Sequence, residues 1–170
     1  MTDGRFDLDT VSISTGLIAR TGWPSGPWDT EPDRVAWVLT NTSCVARRGP
    51  MGAWCGYVAV GYDHPWYLVR YNDPIGPCAE ECTDELGYHC HTPADLISVH
   101  GGLTYSAVLP GGDTEGSDDQ WYFGFDCAHV SDFVPSLAGL RTDGEYRGLG
   151  FVIIECDFLA RSLREVKGTT

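Results

Sequence analysis

Cations are scarce in this chain: 11 Lys and Arg stand against 24 Asp and Glu, a formal net charge of −13. Such a surface repels phosphate backbones, which argues against ordinary nucleic-acid binding through released counterions. The charge instead keeps the chain soluble, or turns a negative face toward a basic partner. Long apolar runs are missing too, none approaching the ~20 residues that a membrane span requires. The opening Met1-Thr2-Asp3-Gly4-Arg5-Phe6-Asp7 lacks the basic and apolar regions of a secretion signal. A cytoplasmic protein without membrane contact is expected. Phosphate cradles are absent as well, since Gly101-Gly102 and Gly111-Gly112 have neither the spacing nor the Lys-Ser/Thr ending of such a loop. Ser106 and Ser131 lack the glycine-flanked elbow of a hydrolase serine.

What the chain does have is rings and turns. Its 170 residues suit one domain with a sizeable core. A hydrophobic content of 42% excludes a disordered chain. Six Trp, eight Tyr and six Phe point to a core or pocket built from large flat side chains. With 21 Gly and 10 Pro, short strands and turns are favoured over long helices. Seven cysteines are an odd number, and in a reducing compartment they read as free thiols or metal ligands.

Residues 1–27 read as an N-terminal extension that packs on the domain without defining it, and 28–170 as a single α+β domain. Val35 to Val45 reads as a strand, with a possible break at Asn41-Thr42-Ser43, and Ala53 to Val60 as its hairpin partner. Segments 97–109 and 120–126 read as two further strands joined by a polar loop. At the C-terminal end Leu149, Val152, Ile153, Cys156, Leu159, Ala160, Leu163 and Val166 recur at three- and four-residue spacing, the stripe of an amphipathic helix. An antiparallel sheet of about four to six strands, with this long helix packed on it, is the expected architecture.

Two constellations hold residues that do chemistry. Cys78, Cys82, His89 and Cys90, with His91 as an alternative ligand, crowd one loop, and thiolates and imidazoles of this kind hold structural zinc. Their spacing matches no standard finger, and unrelated thiols on a surface loop are the competing reading. The second set is His100, Asp126, His129 and Asp132. Gly101-Gly102 after His100 allows close approach of backbone or ligand. Asp126, His129 and Asp132 follow at three-residue intervals, one face if that segment is helical. Two imidazoles with carboxylates hold a catalytic divalent metal, or form a His–Asp acid/base pair. The competing reading makes Asp126 a turn cap and both histidines satisfied core residues. Cys127, beside Asp126, is a weak nucleophile, because a carboxylate neighbour raises a thiol's pKa. Tyr105, Trp121 and Phe123 are the candidate binding rings around this set.

The runs His100-Gly101-Gly102-Leu103-Thr104-Tyr105-Ser106, Trp121-Tyr122-Phe123-Gly124-Phe125-Asp126-Cys127-Ala128-His129 with Asp132, and Arg48-Gly49-Pro50-Met51-Gly52-Ala53-Trp54-Cys55-Gly56-Tyr57-Val58 are similar to a family of small uncharacterised actinobacteriophage and prophage proteins. Glu31-Pro32-Asp33-Arg34-Val35 and Ile154-Glu155-Cys156 share the resemblance, which runs from Trp28 to the C-terminus. Ser131 stands where that family often has a glycine. The resemblance implies a phage-encoded accessory protein of the host cytoplasm, and it carries no activity. With no complete catalytic signature, the leading expectation is a protein that binds a host protein or small ligand, in host takeover or counter-defence. A special case is nucleic-acid mimicry by the acidic surface. The alternative is a metal-dependent hydrolase using His100, Asp126, His129 and Asp132.

Overall fold

The computed structural model describes residues 11–75, 91–109, 120–140 and 143–167. It has the expected α+β arrangement. Six strands, β1 (Val11–Ser14), β2 (Arg34–Leu39), β3 (Thr42–Arg48), β4 (Trp54–Val60), β5 (Tyr105–Ala107) and β6 (Trp121–Asp126), form one antiparallel sheet in the order β1-β2-β3-β4-β6-β5. A single helical turn, α1 (Pro93–Leu96), precedes β5, and the long helix α2 (Leu149–Glu165) lies across the sheet.

Alternation in the strands decides which residues meet α2. Val35 and Trp37 of β2, Cys44 and Ala46 of β3, Trp54 and Val58 of β4, and Phe123 and Phe125 of β6 all face the helix. Val152, Cys156, Leu159, Ala160 and Leu163 descend onto them. Gly56 sets how closely α2 approaches, since a Cβ there would lie 2.8 Å from Cys156 Sγ and closer still to the Phe125 ring. The other face buries a smaller cluster, with Ala36, Val45, Ala59, Leu109 and Tyr122 packed beside Tyr57 and Tyr105.

Three expectations change. The stretch from Val35 to Val45 is two strands rather than one: the chain reverses at Thr40-Asn41, where φ is +47° and +64°, the left-handed pair of a two-residue hairpin loop. Segment 97–109 is strand only over Tyr105–Ala107, because a turn at Val99–Gly102 occupies its first half. Residues 11–14, inside the expected extension, are the sheet's edge strand, pairing Ile13 with Val35.

Beneath the start of α2 lies an ion network that the sequence did not announce. Arg48, fully buried, donates from Nη1 to the Gly52 carbonyl and Tyr146 Oη, both at 2.8 Å, and from Nη2 to Glu31 Oε2 at 2.7 Å. Its guanidinium stacks 4.4 Å above the Trp54 ring, and Asp33 Oδ1 lies 3.5 Å from Nε. Asp33 in turn accepts from Arg20 at 2.6 Å and from the Leu17 N–H at 2.8 Å. Glu31 uses its other oxygen to accept the Leu149 N–H at 2.9 Å. Gly148, the N-cap of α2, has no side chain to do this, so a carboxylate 118 positions away caps the helix and meets its positive end.

Candidate functional site

Three segments converge past the C-terminal end of β6. The first carries His100 in the turn after α1, pinned on either side by buried Ile97 and Leu103. Gly101 and Gly102 have φ of +68° and +86°, conformations a side chain resists, and the Gly102 N–H closes the turn on Val99. A Cβ on Gly101 would lie 1.9 Å from the His129 ring, so glycine is what lets that imidazole sit there. The second segment leaves β6 through buried Cys127 and turns at His129–Asp132, the Asp132 N–H donating to the His129 carbonyl. The third, Glu145 to Arg147, leads into α2. It runs parallel to the second through an isolated bridge between Asp132 and Glu145. Gly144 allows that contact, because a Cβ there would stand 2.5 Å from the Asp132 backbone.

Asp132 is the hub. Its side chain is fully buried, whereas those of His100 and His129 keep 15% and 30% exposure, so solvent reaches the imidazoles but not the carboxylate. His100 Nε2 donates to Asp132 Oδ2 at 2.8 Å and lies 3.0 Å from Oδ1. His129 donates to Oδ2 from its backbone N–H at 3.0 Å and from Nδ1 at 3.3 Å. Arg147 Nε donates to Oδ1 at 3.2 Å. Burial alone would push this carboxyl up. The His100 hydrogen bond, the His129 N–H, the His100 charge and Arg147 together outweigh it and hold Asp132 below the usual carboxylate range. The hub is therefore an anion at neutral pH.

Around it the rings pack edge-on. His100 meets His129 with centroids 5.2 Å apart at 81°, and meets Phe151 of α2 at 5.2 Å and 89°. Arg147 lies 4.9 Å from the centre of the Phe151 ring, with Nη1 2.7 Å from Glu145 Oε2. The His100 N–H donates to Glu155 Oε2 at 2.8 Å, which ties the turn to α2.

One ligand atom each from His100, His129 and Asp132 lies within 4.8 Å of the others, so this cluster could hold a metal ion. A tetrahedral ion with bonds of about 2.0–2.1 Å holds its ligand atoms about 3.3 Å apart; the His129–Asp132 separation of 3.3 Å matches this, and the His100–Asp132 separation of 2.8 Å would have to open by about 0.5 Å. The donor set also fits, two imidazoles and one carboxylate being borderline-to-hard ligands for a divalent transition metal.

Asp126 does not join the cluster. It pairs with Cys55 on the face turned away from α2, where Oδ2 accepts from Thr104 Oγ1 at 2.9 Å and Oδ1 from the Ala128 N–H at 3.0 Å. The three-residue spacing from Asp126 presumed a helical segment; the chain instead leaves β6 through turns. Tyr105, Trp121 and Phe123 do not form one surface either. Phe123 is fully buried in the core, Trp121 packs against that core with its Nε1–H on the Val69 carbonyl, and Tyr105 lies on the opposite face against Tyr57. Cys127 sits below the site, its thiol pushed up by burial and then by the Asp132 charge, and is no nucleophile. Cys78, Cys82, His89 and Cys90 lie outside the described residues, and His91 is exposed with its carbonyl accepting from the Ile75 N–H.

Arg147, Glu155 and Phe151 were not among the expected site residues. Arg147 stands just ahead of the helical stripe, and Phe151 and Glu155 lie within the helix. Glu155 and Phe151 meet His100, and Arg147 meets Asp132, through tertiary contacts without a local pattern. No helix of the described residues is long and apolar enough to cross a membrane. Compared with known proteins, the chain matches no family model, no curated protein and no solved structure.

Proposed function

We propose that the protein is a divalent-metal hydrolase, with zinc the first candidate ion, and that His100, His129 and Asp132 hold the ion. The observation that carries this reading is the convergence of two partly exposed imidazoles on one buried, anionic carboxylate. Three protein ligands with one side open are the pattern of a catalytic rather than a structural zinc site. Bound there, zinc would lower the pKa of a coordinated water to about 7. The chain's own groups prepare that site. Arg147 and the His129 N–H fix the Asp132 carboxylate, and the Gly101-Gly102 turn places His100 beside it. Exposure of the two imidazoles leaves the open side toward solvent.

A second reading has its own support. The Asp132 oxygens already accept from His100, His129 and Arg147 without an ion, so the cluster also stands as a hydrogen-bonded feature of a protein that works by binding. In that reading a phage-encoded accessory protein in the host cytoplasm presents its acidic surface to a host protein, or takes a small ligand at this end of the sheet.

Metal analysis of the purified full chain separates the two. About one equivalent of zinc is expected in the wild type. It should be lost in Asp132→Asn and His129→Ala while far-UV circular dichroism is unchanged, and kept in a Cys78→Ser/Cys82→Ser double variant. Metal that vanishes only with the cysteines would place zinc in a structural role and refute the hydrolase. A metal-free wild type would favour the binding protein.

A further inference from the structure

Resting on the metal reading, we propose that the ligand of this centre carries a phosphoryl group, and that Arg147 is the residue that receives it. Arg147 is held on three sides before any ligand arrives, by the Asp132 carboxylate, by Glu145, and by the face of Phe151. A guanidinium fixed in this way has little side-chain freedom left to lose when an anion binds. Its side chain is 20% exposed, and it shares the Asp132 carboxylate with His129. Among the described residues Nη2 has no hydrogen-bond acceptor, while Nε and Nη1 are engaged.

The charge balance points the same way. With a divalent ion in place, the ion and Arg147 bring three positive charges against the Asp132, Glu145 and Glu155 carboxylates, of which Glu145 is 72% exposed and therefore screened by solvent. The centre is then close to neutral, far less negative than the rest of a chain of net charge −13. The surrounding acidic surface disfavours polyanions such as nucleic acid, whereas a small phosphate ester brings only its own charge. A phosphoryl oxygen on the ion, with a second accepting from Arg147 Nη2, is the arrangement proposed, the second contact being a charge-assisted hydrogen bond.

The test is calorimetric titration of inorganic phosphate, with acetate as comparator, into zinc-loaded full-length protein. Zinc affinity is measured separately for each variant. Wild type should bind phosphate saturably, and Arg147→Gln should bind it about tenfold more weakly or worse, with zinc affinity changed by less than about threefold. Arg147→Lys, which keeps the charge and loses the flat fork, should fall between them, and it carries the comparison if the Gln variant does not fold. Equal phosphate affinity in wild type and variants would overturn the inference and leave the metal centre standing. Acetate bound as tightly as phosphate would also overturn it, making this a carboxylate site. A wild type that takes up no zinc would overturn both.

Discussion

Replacing Arg48 by Met tests whether the buried ion network holds the start of α2 in place. Met keeps most of the volume under Trp54, so cavity formation is a minor part of the effect. What is lost is the guanidinium that donates to Glu31, Tyr146 and the Gly52 carbonyl. Removing one partner of a buried ion pair destabilises by about 3–5 kcal/mol, because the remaining carboxylate keeps its desolvation penalty. For a chain of this size that corresponds to a melting temperature lower by about 6–20 °C. Thermal unfolding followed by circular dichroism reads this directly, and a drop under about 2 °C would refute the reasoning. A pH series adds a second check. For both Glu31 and Asp33, burial pushes the pKa up. In Glu31 the hydrogen bonds from Tyr146, Leu149 and Arg48, and in Asp33 those from Arg20 and the backbone, outweigh it and hold each carboxyl low. The stability they contribute is therefore complete above the unfolded carboxyl values of about 3.9–4.3 and is lost as pH falls through the lower folded ones. Arg48→Met should differ most from wild type at pH 7, and the gap should narrow toward about pH 3. A gap that stays constant would remove Glu31 from the account.

Gly101→Ala should lower metal affinity by about 10–100-fold, as displaced supports of metal ligands do, because the new methyl meets the His129 ring; unchanged uptake measured with a competing chelator would refute it. The same variant should lose about 1–2 kcal/mol of stability from its left-handed backbone, measured by urea unfolding. Ellman's reagent at pH 8 should leave Cys44, Cys127 and Cys156 unlabelled in the native protein and modify them in guanidinium, read by peptide mass mapping. Burial raises all three thiols, Cys44 to about 12, and native labelling within minutes would contradict their placement. His64→Ala should lower the melting temperature by about 2–8 °C, since His64 accepts the Trp66 N–H and donates to the Leu163 carbonyl at the end of α2, roughly 1 kcal/mol per bond. An unchanged melting curve would show that this link does not tie down the helix.

The fold was legible where one element alone buries one stripe. Leu149 to Leu163 repeats at helical spacing because α2 lies on a single surface, whereas Trp121 to Phe125 is aromatic on both sides because β6 is buried on both faces. The hairpin between β2 and β3 showed only as a break in one strand at Asn41-Thr42-Ser43, because Thr40-Asn41 lacks the glycine that usually marks a left-handed turn. At the site, His100, His129 and Asp132 were nameable from residue type, but spacing misassigned Asp126, whose carboxylate serves Thr104 and Ala128 instead. The Glu31–Arg48 pairing could not be read at all. Its signal is a carboxylate and a guanidinium 17 positions apart, each unremarkable until β2 and β3 bring them under Trp54.

His100 precedes β5, Asp132 follows β6, and Arg147 precedes α2, so no local stretch of chain holds even two of the three. A partly folded chain keeps only the His129 and Asp132 pair, three residues apart, and so offers a fraction of the affinity. Whatever binds at their meeting point binds the native state best, and each tenfold excess of it over the dissociation constant adds up to about 1.4 kcal/mol to the work of unfolding. Occupancy then acts as a latch on the whole sheet, and a scarce ligand would leave the protein more open to proteases than a plentiful one.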